Sequence, residues 1–143
     1  MKAIFTPDAP PPAGHYSQAI VHQGLVYVAG QVGADPAGRA KINSVEEETE
    51  QALRNIEAVL KAAGSGLDRI LQMTVFVTDI ALWSAVNATY ARVMGDHRPA
   101  RAVVPIRDLA RGHQIELVCI AAAGAKRAAA KPRTRSATGK RRR

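Results

Sequence analysis

The sequence predicts an α+β fold: a single mixed β-sheet with two helices packed on one face. Three observations lead there. The elements read in the order strand, strand pair, helix, strand, helix, strand, strand. Two strand–helix–strand units sit inside that order, and right-handed crossovers return both helices to the same side of the sheet. No third helix is available for the opposite face. Self-association through that face is the economical way to bury it, and a pocket can form where subunits meet.

"KAIF" at 2–5 is a short strand candidate before a Pro-rich loop from Pro7 to Pro12. "SQAIVHQGLVYVAGQV" at 17–32 reads as two strands around a tight turn at Gln23-Gly24, with Val26, Tyr27 and Val28 favouring β structure. A loop rich in Gly, Asp and Pro follows at 33–40. Ser44, with Glu47 three residues on, is a capping-box start for the first helix. Glu46, Glu47, Glu48 and Glu50 crowd its first turns, where the helix dipole favours anions, and read as a solvated helix start. Ala52, Leu53, Ile56, Val59, Leu60 and Ala63 form its apolar stripe, and Gly64 stops it. In "RILQMTVFVTD" at 69–79, alternation puts Leu71, Met73, Val75 and Val77 on one strand face. Ile70, Gln72, Thr74, Phe76 and Thr78 fall on the other. A second helix over roughly 81–94 lines up Leu82, Val86, Tyr90 and Val93 and ends at Gly95. "PARAVVPIRDLARGHQIELVCIAA" at 99–122 then supplies two strands across a polar turn.

The net charge of +8 is unevenly placed. From Gly124 onward there are nine Lys or Arg and no acid, so residues 1–123 carry a net −1. The domain is therefore expected over 1–123, with 124–143 a disordered basic tail: "GAKRAAAKPRTRSATGKRRR" lacks Ile, Leu, Val and aromatics and cannot bury enough apolar surface to order itself. Such a tail suits either a solubilising role or non-specific contact with nucleic acid or another polyanion. Cys119 is the single cysteine, which excludes a disulfide within the chain and fits a reducing, cytoplasmic setting. No continuous apolar leader and no membrane-length apolar run are present.

His15, His22, His97 and His113 lack paired-ligand spacing, so no metal site is expected. Phosphate-binding, dinucleotide and nucleophile-elbow motifs are missing. Any catalysis must therefore run on side chains, backbone groups and water, without a cofactor. Attention falls on two charges inside apolar strands: Arg101, which opens one run, and Glu116, which interrupts the next. A buried charge is costly unless paired. Either the two form a salt bridge or sit exposed at strand ends, or they define a small anion pocket. In that pocket the Arg101 fork would grip a carboxylate and Glu116 would hold or activate a water.

These residues resemble a known family. "PARAVV", followed downstream by "IE", is similar to the signature of the reactive intermediate deaminase family (RidA, also YjgF/UK114), and the resemblance covers about residues 2–122. "GHYSQAI", "YVAGQV", "EEETEQALRNIEAVLKAAG", "TVFVTDI" and "VNATY" resemble its other segments in order. The resemblance implies a chorismate-mutase-like fold, a homotrimer with active sites between subunits, and hydrolysis of enamines and imines such as 2-aminoacrylate or 2-iminopropionate to 2-keto acids and ammonia. Residue by residue, Arg101 matches the carboxylate-binding arginine and Glu116 the acid associated with the attacking water. Tyr16 and Asn87 match cleft-lining positions, and Gly30 the glycine whose backbone approaches the ligand. Backbone polarity near Val103 would contribute to the same cleft. Three positions depart from the pattern: His15 replaces the usual Pro, Ala29 the usual Ser, and Val103 a frequent Cys. With Val103 there, Cys119 belongs to a core strand and is expected to be inert. Two other readings stay open: a non-catalytic sensor of small carboxylates, and an RNA-binding or ribonuclease-type protein that uses its tail.

Overall fold

The computed structural model describes residues 1–40 and 43–124; the basic segment from 125 onward lies outside the described residues. The strands are β1 (Lys2–Ile4), β2 (Ala19–His22), β3 (Leu25–Val32), β4 (Ile70–Val77), β5 (Ala100–Pro105) and β6 (Ile115–Ala122). The helices are α1 (Val45–Ala62) and α2 (Trp83–Met94). The six strands form one sheet in the order β1-β2-β3-β6-β4-β5. All neighbours run antiparallel except β4 and β5, which are the two ends of a parallel β-α-β crossover through α2. The sheet is therefore mixed, as the order of elements predicts.

Local chemistry explains most boundaries. Gln23 and Gly24 both have positive φ (48° and 78°), the geometry of a two-residue hairpin whose twist matches its strands. The Ser44 hydroxyl accepts from Glu47 N at 3.2 Å and caps α1. At its far end Ala63 closes the helix and Gly64, at φ 71°, turns the chain away. Asp79 accepts from Ala81 N at 2.8 Å and sets a short 3₁₀ turn over Ile80–Leu82, so α2 itself begins two residues later than the apolar pattern suggests.

One sheet face carries the core. On β6, Ile115, Leu117, Cys119 and Ala121 are buried while the residues between them are half-exposed. They meet Met73 and Val75 of β4 and the Leu53, Ile56 and Leu60 stripe of α1. Each such Leu or Ile contributes roughly 1.5–3 kcal/mol by leaving water. In β4 the alternation expected from sequence breaks at its start. A register shift against β6 between Ile70 and Gln72 turns Ile70 into the core and leaves Leu71 51% exposed.

The Glu run also departs from expectation. Glu46 and Glu47 are solvated, but Glu48 is fully buried. His113 Nδ1 lies 3.0 Å from its Oε1, and Gln114 donates to its Oε2 through Nε2 at 2.9 Å. The Gln114 backbone N–H also reaches the carboxylate, at 3.2–3.3 Å. Glu48 thus clamps the β5–β6 connection onto α1, a pairing across 65 residues that no local pattern reveals.

Among the described residues no layer covers the opposite sheet face. Phe76, Val118 and Ile120 are only half-buried there, and Tyr27 and Val104 are exposed at 43% and 36%. No helix among the described residues is long and apolar enough to cross a membrane.

Candidate active site

Strand register decides where Arg101 and Glu116 go. In the parallel β4–β5 pair, Arg101 stands beside Met73 and Val103 beside Val75. Met73 and Val75 face the helices, so Arg101 and Val103 do too. In the β4–β6 pair Glu116 stands beside Phe76, on the uncovered face. Arg101 and Glu116 therefore lie on opposite faces of one sheet. Neither makes an ion pair among the described residues. A salt bridge between them within the chain is excluded.

The Arg101 half is built on α2. Asn87 and Tyr90 are three residues apart and project from one side of the helix. Arg101 Nη2 donates to Asn87 Oδ1 at 2.8 Å, and the guanidinium lies 4.7 Å from the Tyr90 ring centroid. The amide fixes the plane of the fork, and the ring supplies a cation–π contact. Tyr90 is itself buried. Its hydroxyl has no hydrogen-bond partner among the described residues, and burial raises its pKa against the opposing pull of Arg101. A cavity of about 300 Å³ opens here, with Met94, His97 and Pro99 completing its walls. His97 Nε2 sits 2.7 Å from Ile70 O and ties the α2–β5 connection to the sheet. β5 is an edge strand, so peptide groups near Val103 are available on its outer side.

The Glu116 half lies around the bulge of β3. The ladder to β6 shifts between Val28 and Gln31, which leaves Gly30 against Glu116. A Cβ on Gly30 would lie 2.1 Å from Glu116 Oε1, so only glycine lets that carboxylate rest against the backbone. Tyr16, 51% exposed, stands on the preceding loop, its hydroxyl accepting from Ala13 N at 3.0 Å. Tyr16 and Gly30 share a second cavity of about 260 Å³ with Pro12, Val32 and Arg111. Gln18 supports it from below. Its side chain accepts from Thr6 N at 2.7 Å and donates to Pro10 O at 2.9 Å, fastening the Pro-rich loop to the start of β2.

The structure therefore puts Arg101 against Asn87, with Val103 on the same strand face, and puts Glu116 against Gly30, which in turn shares a cavity with Tyr16. Sequence reading missed three contributors: Tyr90, read only as part of an apolar stripe, Gln18 and Arg111. The spacing of Asn87 and Tyr90 on a helix was the one available signal; the other two depend on tertiary contacts.

No thiol serves either half. Cys119 is buried on the core face of β6, and desolvation pushes its pKa up to about 12 from an ordinary value near 9. The native thiol stays protonated where unfolded chains ionise, so this group withdraws stability as pH rises between those two values. Native protein at pH 8 is expected to resist iodoacetamide for hours and to react fully in urea, as read by intact mass. Rapid labelling of native protein would show that Cys119 is accessible.

Comparison with known proteins gives a consistent picture. The family model described as Endoribonuclease L-PSP matches residues 6–123. A rat protein named 2-iminobutanoate/2-iminopropanoate deaminase is 39% identical over 86% of this chain and 90% of its own. The solved structure of RidA from an Antarctic Psychrobacter superimposes with a TM-score of 0.82 at 31% identity, covering 85% of this chain and 99% of that one. That of Escherichia coli TdcF with bound serine does so with a TM-score of 0.81 at 29% identity, covering 85% and 98%.

Proposed function

The chain belongs to the YjgF/RidA family, and on that premise we propose that it is a hydrolase of short-lived 2-imino and 2-enamino acids, working without a cofactor. The observation that carries the reading is the unpaired Arg101 fork, held in plane by Asn87 and Tyr90 at the wall of a cleft. A guanidinium so constrained, with no carboxylate of the described residues against it, suits the carboxylate of a small substrate. The rat relative is named for imines of that kind, and TdcF is described with serine, another small amino acid, bound.

In this reading Arg101 grips the substrate carboxylate and so orients the adjacent C=N carbon. Glu116 takes a proton from water as its oxygen bonds to that carbon and passes it to nitrogen; it then carries the proton of the new hydroxyl to nitrogen as C=O forms and the C–N bond breaks. Imine and water become 2-keto acid and ammonia. Backbone groups at Gly30 and near Val103 supply polarity, and Tyr16 closes the cleft. These species already hydrolyse unaided, so orientation plus positioned proton transfer, typically worth ~10²–10⁴-fold, is acceleration enough.

The two halves cannot meet within one chain. They meet if the Arg101 half of one copy abuts the Glu116 half of the next. Repeated head to tail about an axis, such a contact closes as a ring. The apolar uncovered face provides the surface to bury, and family membership supports three copies, hence three intersubunit sites. A cytoplasmic location agrees with the lone cysteine. The nine tail cations support a separate polyanion contact, independent of the cleft.

The test is to generate 2-iminopropionate in place with an amino-acid oxidase and to follow pyruvate against a competing trap. Faster pyruvate release at catalytic protein concentration is the expected result. Tight ligand binding with no change in rate would identify a carboxylate sensor instead.

A further inference from the structure

We propose that Arg111 is a specificity-determining residue, a second cation that reads the distal acidic group of imines derived from dicarboxylic amino acids. The inference rests on the hydrolase reading and names the substrate class of the same cleft. Arg111 lies in the connection between β5 and β6 with φ 60° and ψ 22°, a left-handed conformation that a non-glycine residue seldom adopts. Gly112 beside it also has positive φ, at 75°. A turn of this shape is made more easily by Gly or Asn, so the turn alone gives no reason for arginine.

The side chain reaches over the Tyr16 cavity. Its Nη1 donates to Gly38 O at 3.2 Å, and both residues line the cavity with Tyr16 and Gly30. Arg39, Arg54, Arg92 and Lys61 each pair with a carboxylate. Arg111 pairs with none, and is the one guanidinium lining that cavity, among the described residues. Its base is firmly held. His113, two residues on, and Gln114 are locked to the buried Glu48 carboxylate. Gly33 packs so closely on α1 that a Cβ there would meet Glu48 Cα at 2.7 Å.

The charge arithmetic of the cleft gives this cation its use. Glu116 brings a carboxylate to the Gly30 wall. A substrate with a second carboxylate would be repelled there unless a cation met it. The remaining donors of the Arg111 fork are free to do so. The reaction is unchanged: C=N and water give C=O and ammonia, with the distal carboxylate a spectator. Enzymes that oxidise acidic amino acids at the Cα–N bond are the class that would supply such imines.

The experiment compares kcat/KM for imines generated in place from aspartate and from alanine, using the full chain and its Arg111→Gln, Arg111→Gly and Arg111→Lys forms. The aspartate-to-alanine ratio is expected to fall about tenfold or more in the Gln and Gly forms, the loss of one charged hydrogen bond, and less in the Lys form. Arg111→Gly also relieves the left-handed strain, so its thermal melt should match or exceed wild type and rule out misfolding as the cause. If the alanine-derived imine is hydrolysed but the ratio does not respond to Arg111, this inference fails alone. If neither imine is hydrolysed, it fails together with the hydrolase reading.

Discussion

Arg101→Ala is expected to lower kcat/KM for 2-iminopropionate by roughly 10²–10⁴-fold, since charged hydrogen bonds of this kind are worth about 1.5–3 kcal/mol each and a bidentate grip has two. The fold should survive. Arg101 is half-exposed on an edge strand, its side-chain hydrogen bond among the described residues goes to Asn87, and the Tyr90 ring is the core group its guanidinium lies against. The Tyr90 ring would lose its cation but keep its place in the core. Arg101→Lys should recover only part of the activity, because an ammonium cannot reproduce a planar fork stacked on Tyr90. Rates measured beside thermal melts check both points. A folded Arg101→Ala protein hydrolysing the imine at the wild-type rate would make Arg101 structural.

Glu116→Gln should cost ~10²–10⁴-fold in kcat, the usual worth of a positioned proton acceptor, with little change in KM because shape and the Arg101 grip remain. Gly30→Ala offers an independent route to the same loss. Its methyl would collide with Glu116 Oε1, the free end of a flexible side chain. The carboxylate can swing aside, so the chain should still fold while the acceptor is misplaced. An unchanged kcat in Glu116→Gln would assign the proton transfer to another group.

Much of the fold is legible because its signals are local. Ser44 followed by Glu47, glycines just past both helices, and strict alternation on β6 each follow from short-range physics. The failures are equally specific. Ile70 and Leu71 exchange faces because two residues of β4 oppose one of β6, a fact of pairing and not of pattern. Glu48 looks like its solvated neighbours until His113 and Gln114 arrive from the other end of the domain. Arg101 and Glu116 stand out in sequence as charges among apolar residues. That they occupy opposite faces follows only from the registers of β5 and β6 on β4. Local pattern can identify both halves of a site without revealing that they are halves.

That separation is the centre of the account, and mixing two inactive variants tests it most directly. Arg101→Ala and Glu116→Gln proteins, each nearly inactive alone, are unfolded together in equal amounts and refolded. If each site takes Arg101 from one subunit and Glu116 from its neighbour around a three-membered ring, every mixed ring regains one intact site. Random mixing should then restore about a quarter of wild-type activity. If the mixture stays as inactive as its parents while co-refolded wild type recovers fully, the two residues do not complete one another across an interface, and the intersubunit site is contradicted.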